Sequence, residues 1–269
     1  MNRPLLIDGV EVLVDGDADD TLVMLHGWPD SAALWQGTVD ALRDRWRCVR
    51  FTLPGFGAEG RGPVSLQAMT ATLARIVDAV SPGRPVTLLM HDWGCLFGYH
   101  YLAQHPQRVA RVAGLDVGDA GSRAHRAELS WGAVAGMVGY QLWLAMAWRV
   151  GGPWGDRMAR WMAARMRCPV AAAQVHAGLG WPYWMAWTGA AGGLRGARRI
   201  GEPPCPVFYA WGRRKPFMFH SRAWVQRLRA RADCRALELK AGHWLMLDQP
   251  AELHAALREG LAAAAPPRA

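Results

Sequence analysis

Short apolar runs at 21–25, 48–52, 86–91, 109–116 and 207–211 are separated, for the most part, by stretches of helical periodicity, and this alternation constrains the chain more than any other feature. Strands buried on both faces read as near-continuous apolar runs, and joining two of them in parallel requires a crossover, usually a helix. The pattern predicts an α/β protein with a doubly wound, mostly parallel sheet. Crossover helices are expected at 32–43, 66–80, 94–104, 222–231 and 251–263, with Ser31 and Ser65 as N-caps of the first two. Ahead of the parallel strands, 5–7 and 10–14 flank Asp8-Gly9 and read as a hairpin.

The alternation breaks once. From about 119 to 200 strand patterning vanishes and tryptophan becomes dense, with Trp131, Trp143, Trp148, Trp154, Trp161, Trp181, Trp184 and Trp187. A helical cap over 119–200 is expected, inserted into a core made of 1–118 and 201–269, with Glu202-Pro203-Pro204 as the breaker at the return. Within it, 129–148 carries no charge and is long enough to cross a bilayer. Ser130, Gln141, the glycines 132, 136 and 139 and a mid-chain position argue instead for a buried cap helix and no stable span.

At 269 residues, 51% hydrophobic and 20% charged, the chain can bury one α/β core plus an insertion. The net charge of +9 comes from scattered arginines without a nucleic-acid-binding motif, so no nucleic-acid partner is expected. Five cysteines, far apart and without a C-x-x-C pair, read as reduced thiols and not as a metal site. The first twenty residues lack a secretory pattern, so a cytoplasmic protein is expected, as monomer or homodimer.

Three motifs carry chemistry. Met90-His91-Asp92-Trp93-Gly94 follows an apolar strand and opens a helix, the context of the G-x-S-x-G nucleophile elbow, with aspartate in place of serine and Met90 in place of the first glycine. The bland reading of Asp92 is a helix N-cap. His26-Gly27-Trp28-Pro29 follows the first parallel strand, where the Trp28 N–H, with that of Trp93, would make a two-donor oxyanion hole. His243, in Ala241-Gly242-His243-Trp244, lies after an apolar strand and before the last helix. All three fall at carboxyl ends of parallel strands, where open α/β sheets build their sites.

On His26-Gly27-Trp28-Pro29, His91-Asp92-Trp93-Gly94, Gly242-His243 and Leu53-Pro54-Gly55-Phe56-Gly57, the chain resembles the epoxide hydrolase and haloalkane dehalogenase branch of the α/β-hydrolase superfamily. The resemblance implies Asp92 as nucleophile, His243 as general base, and no metal or organic cofactor. Members of the branch often carry the acid in a Gly-x-x-Asp turn, which here reads Gly212-Arg213-Arg214-Lys215. Another subgroup carries it at the end of the strand before the cap, where Asp116 stands, so Asp116 is the expected acid. Asp119 is the reserve, with a helix N-cap as its other reading.

Tyr140, in Tyr140-Gln141-Leu142, resembles the first ring-opening tyrosine of epoxide hydrolases, and Tyr183 falls where the second is expected. The expected activity is hydrolysis of an apolar or aromatic epoxide through an ester on Asp92. Haloalkane dehalogenation by the same nucleophile is the alternative, with Trp93 as one halide donor, and a ligand-binding homologue without turnover is a third possibility.

Overall fold

The computed structural model describes residues 4–57, 63–197 and 203–262. The expected 200/201 boundary, Glu202 of the breaker and the alanine-rich end of the chain lie outside them.

The strands are β1 (Leu5–Ile7), β2 (Val10–Asp15), β3 (Thr21–Leu25), β4 (Arg47–Phe51), β5 (Val86–His91), β6 (Val109–Leu115), β7 (Val207–Gly212) and β8 (Arg235–Leu239). They form one sheet in the order β1-β2-β4-β3-β5-β6-β7-β8. The first two pairings are antiparallel and the rest parallel, as expected of a hairpin followed by a doubly wound sheet. Asp8 (φ 51°) and Gly9 (φ 76°) supply the positive φ values that a two-residue hairpin turn requires.

The helices are α1 (Gln36–Leu42), α2 (Leu66–Val80), α3 (Trp93–Gln104), α4 (Arg123–Glu128), α5 (Trp131–Val150), α6 (Gly152–Arg165), α7 (Trp181–Thr188), α8 (Arg222–Ala230), α9 (Leu245–Asp248) and α10 (Pro250–Ala262). Ser31 caps a 3-10 turn leading into α1, and Ser65 caps α2, each accepting from a backbone N–H. Along the parallel strands, residues feed two cores on opposite faces. On β3, Val23 and Leu25 join Leu73, Ile76 and Phe97 of α2 and α3. Leu22 and Met24 join Val39, Leu42, Leu253 and Leu257 of α1 and α10. Every β3 residue is buried, and so the run reads as continuous.

Strand order reverses around β3, with β4 on one side and β5 on the other, so the loops leaving β3 and β5 diverge and open a crevice between them. Two glycines let these loops touch. A Cβ on Gly94 would stand 2.3 Å from the Leu25 carbonyl oxygen, and one on Gly27 would stand 2.3 Å from Asp92 Oδ2. Met90, unusual in the first elbow position, is accommodated by Gly98 of α3, where a Cβ would meet Met90 Sδ at 2.2 Å.

Between β6 and β7 the described residues form α4 to α7 and short 3-10 turns, with no strand. The stretch expected as a buried helix is α5, and here the structure differs. Only Leu144, Ala145 and Ala147 of it are buried, whereas Trp131 is 90% exposed and Met146 52%. The helix meets α6, α7 and the turn before α7, where Gly155 and Gly180 admit its carbonyls from Ala147 and Leu144, and its Tyr140 ring stacks on Phe217. No helix among the described residues is long and apolar enough to cross a membrane.

The Gly94 contact is made to backbone that cannot rotate away. Gly94→Ala should therefore cost about 1–3 kcal/mol of stability, lowering Tm by roughly 2–4 °C for each kcal/mol. A thermal melt that matches wild type would show that the two loops are not in rigid contact.

Candidate active site

Asp92 stands between β5 and α3 with φ 51° and ψ −123°, a conformation that costs a non-glycine residue about 1–3 kcal/mol. Asp92 holds the N-cap position of α3 without the side-chain capping bond that the N-cap reading implies. Instead Oδ2 accepts the Trp28 N–H at 2.7 Å. Burial raises the pKa of Asp92, while His243 and the backbone N–H groups of Trp28 and Trp93 pull it back toward the ionised form. The expected pair of N–H donors thus converges on this carboxylate.

The Trp28 turn is braced from beneath. His26 Nε2 accepts the Leu53 N–H at 2.9 Å, which makes Nδ1 the donor to the Gly27 carbonyl at 2.9 Å. Burial lowers the pKa of His26 to about 4, so it stays neutral and keeps both bonds.

His243 lies in the loop between β8 and α9, with Nε2 3.8 Å from Asp92 Oδ1 and Nδ1 2.5 Å from Asp116 Oδ2. Asp116 follows β6, is fully buried and has φ 70°. Its other oxygen accepts the Gly212 N–H at 3.1 Å and is 2.5 Å from Lys215 Nζ. Burial alone would raise the Asp116 pKa, but Lys215 and His243 outweigh it and hold the carboxyl well below the usual range. Burial disfavours the His243 imidazolium, yet Asp116 and Asp92 raise its pKa on balance, with Lys215 opposing them. The chain therefore aligns carboxylate, imidazole, carboxylate and ammonium in sequence.

Asp119 is placed elsewhere. It accepts from the Ser221 N–H and hydroxyl at 2.7 and 2.8 Å and from the Ser122 hydroxyl at 2.7 Å. Ser122, and not Asp119, is the N-cap of α4, so Asp119 ties the start of α4 to the start of α8.

Tyr140 of α5 and Tyr183 of α7 line the same cavity as Asp92 and His243, a space of about 1080 Å³. Their rings meet edge to face at 5.9 Å, and Tyr183 meets Trp93 at 5.2 Å and Trp28 at 6.1 Å in the same way. Burial raises both phenol pKa values; a bond from Gln141 opposes this at Tyr140, and one from the Trp93 side chain opposes it at Tyr183. Both phenols remain protonated donors at neutral pH.

Three contributors were not legible as such in the sequence. Lys215, seen there only as a missing acid, is the ion-pair partner of Asp116; its position in the Gly-x-x-Asp slot was the available signal. Asp30, directly after Pro29, is buried, accepts the Trp244 indole N–H at 3.0 Å and has a pKa raised by burial to about 7. His91 Nε2–H donates to the His243 carbonyl at 3.0 Å and holds that loop.

A sequence family described as alpha/beta hydrolase fold matches residues 20–142. The chain has the α/β-hydrolase fold. Among solved structures it is similar to a Bacillus megaterium epoxide hydrolase (TM-score 0.69, 15% identity, covering 96% of this chain and 99% of that one). It is likewise similar to the haloalkane dehalogenase DbeA loop variant of Bradyrhizobium elkanii (TM-score 0.67, 16% identity, 95% and 93%). By sequence it is 42% identical over 114 residues to a Mycobacterium bovis protein named "Probable oxidoreductase EphD", covering 39% of this chain and 19% of that protein. It is 32% identical over 111 residues to a cis-3-alkyl-4-alkyloxetan-2-one decarboxylase of Xanthomonas campestris, 37% of each. These matches span well under half the length of either relative.

The order of charges around His243 can be tested by titrating its imidazole nitrogens by NMR. Lys215→Met removes a cation and should raise the His243 pKa further, whereas Asp116→Asn removes the dominant anion and should lower it. Unchanged values in both variants, with melts showing that they fold, would contradict the arrangement.

Proposed function

We propose that the protein is an epoxide hydrolase that works through an ester on Asp92. The observation that carries this reading is the pair of protonated phenols, Tyr140 and Tyr183, in the cavity that holds a carboxylate with an imidazole 3.8 Å away. An opening oxirane develops an alkoxide, which needs acidic donors, whereas a departing halide needs only weak ones. On this reading the segment 119–200 serves as the cap that brings both phenols over the nucleophile.

In the first step Asp92 Oδ1 attacks an oxirane carbon, the carbon–oxygen bond breaks, and a phenol proton passes to the leaving oxygen. In the second, His243 Nε2 takes a proton from water, and the hydroxide adds to the Asp92 carboxyl carbon. The N–H groups of Trp28 and Trp93 hold the resulting oxyanion; collapse breaks the bond from the carboxyl carbon to the substrate-bound oxygen, the imidazolium proton passes to that oxygen to give the diol, and the proton left on the Asp92 carboxyl returns to the phenolate. Asp116 orients the imidazole and balances the imidazolium, so it acts as a positioning residue. His243 must be neutral to act as base, so turnover is lost as pH falls through its raised pKa.

A second reading rests on Trp28. Its indole N–H is buried and has no hydrogen-bond partner among the described residues, and with Trp93 it would make the two-donor site that a halide ion requires. This reading also agrees with the dehalogenase likeness of the fold.

The two part on the tyrosines. Tyr140→Phe and Tyr183→Phe should each slow ester formation on an epoxide by roughly tenfold to a hundredfold, the worth of a charge-assisted hydrogen bond. Stopped-flow quenching of tryptophan fluorescence would follow that step. Wild-type rates in both variants, or halide release without any diol from wild type, would favour the dehalogenase.

The acid is tested separately. Asp116→Asn should abolish most turnover, and Asp119→Asn should act mainly on stability by loosening α4 and α8. Equal small losses of turnover at equal stability would remove Asp116 from the site.

A further inference from the structure

The cavity over Asp92 is chemically two-ended. Its deep part is apolar and aromatic, with Trp28, Tyr140, Met162, Tyr183, Phe217 and Phe219, while four cations, Arg165, Arg167, Arg214 and Lys240, also line it. Those four are exposed and so stand at the mouth. They come from three separate places, the end of α6, the loop after β7 and the loop after β8. Arg214 N–H bonds to the Ala241 carbonyl, which ties its loop to the one bearing His243. None of the four makes an ion pair with another described residue. Lys215 is nearby but is already neutralised by Asp116.

Arg167 carries a second, independent sign. The Cys168 N–H bonds to the Ala163 carbonyl and the Arg167 N–H to that of Ala164, which closes α6 in a Schellman motif with Arg167 in its left-handed position, at φ 55°. Glycine dominates that position because a Cβ is strained there. A cation near a helix C-terminus is favourable in itself, which accounts for Arg165. It does not require the left-handed residue to be the arginine. Folding alone would be served better by glycine, so the helix end gives no local reason for the arginine side chain that lines the mouth.

Opposite charge stands where it would orient a ligand. Asp92 lies at the floor and repels an anion, whereas the mouth cations attract one, opposed there by Asp248. We propose that the substrate is an anionic amphiphile, whose apolar body carries the reacting group down to Asp92 while an oxyacid head is held by Arg165, Arg167, Arg214 and Lys240. This rests on the reading of this cavity as the active site and narrows its substrate class. Arginine suits the role, since its planar fork binds carboxylate, sulfate or phosphate through paired hydrogen bonds.

Equilibrium binding tests the proposal without turnover, so its outcome is independent of whether diol is formed. Decanoate and decan-1-ol share a chain and differ in the head, and tryptophan fluorescence reports on both. Wild type should bind decanoate about tenfold or more tightly than decanol at low salt, a preference worth one charge-assisted contact. Added sodium chloride should shrink that preference. In Arg167→Gly and Arg214→Gln the decanoate-to-decanol ratio should fall about three- to tenfold, and Arg167→Gly should melt no lower than wild type, since its backbone strain is relieved. Equal affinity of wild type for the two ligands, or a ratio that survives in both variants, would overturn the proposal. Diol formation with no preference for decanoate would reject the anionic head and leave the epoxide reading standing. A clear preference with no diol from any epoxide would do the reverse.

Discussion

Everything at the site depends on one contact between two loops, the hydrogen bond from the Trp28 N–H to Asp92 Oδ2. A buried carboxylate beside a second one would tend to protonate and lose its nucleophilicity. Fixed N–H dipoles oppose that without being able to move or dissociate. The contact exists because Gly27 and Gly94 have no Cβ at the crossing, and because the strained turn at Asp92 brings its carboxylate to the Trp28 N–H. The sheet order supplies the rest, since reversal at β3 is what brings the ends of β3 and β5 side by side.

The second determinant is the alternation of charge through His243. Asp116 can stay ionised while fully buried only because a lysine, an imidazole and a backbone N–H share its two oxygens. That arrangement has a chemical consequence. Lys215 draws charge from the carboxylate that would otherwise raise the imidazole pKa further, so the imidazole stays neutral to lower pH than an Asp116–His243 pair alone would allow. A buried ammonium in the Gly212-x-x-Lys215 turn is thus compatible with a carboxylate–imidazole pair whose carboxylate arrives from β6.

Much of this was legible in the sequence, and the parts that were not have physical reasons. Strands such as β3 and β5 are buried on both faces and bounded by turn residues, so their apolar runs reveal them. The elbow announces itself through small residues after a strand, since only these tolerate the crossing. The partnership of Asp116 with Lys215 was hidden because the two are 99 positions apart, and no local pattern reports a long-range ion pair. The surroundings of α5 were hidden for a different reason. An apolar helix with large residues on every side has no amphipathic face to show which side is covered, so its length and apolarity suggested burial where the structure leaves Trp131 and Met146 exposed. Asp119 was ambiguous in the sequence because a carboxylate that anchors serine caps and one that orients a histidine look alike until their partners are known.

The central claim is that Asp92 itself forms a bond to substrate, and a single turnover in heavy-oxygen water addresses it without any mutation. With enzyme in excess over an epoxide, the account predicts a first product whose new hydroxyl oxygen is unlabelled, because it comes from the Asp92 carboxylate, while the peptide containing Asp92 gains one heavy oxygen. A first product that carries the label from water, with an unlabelled Asp92 peptide, would mean direct attack by water and would contradict the account.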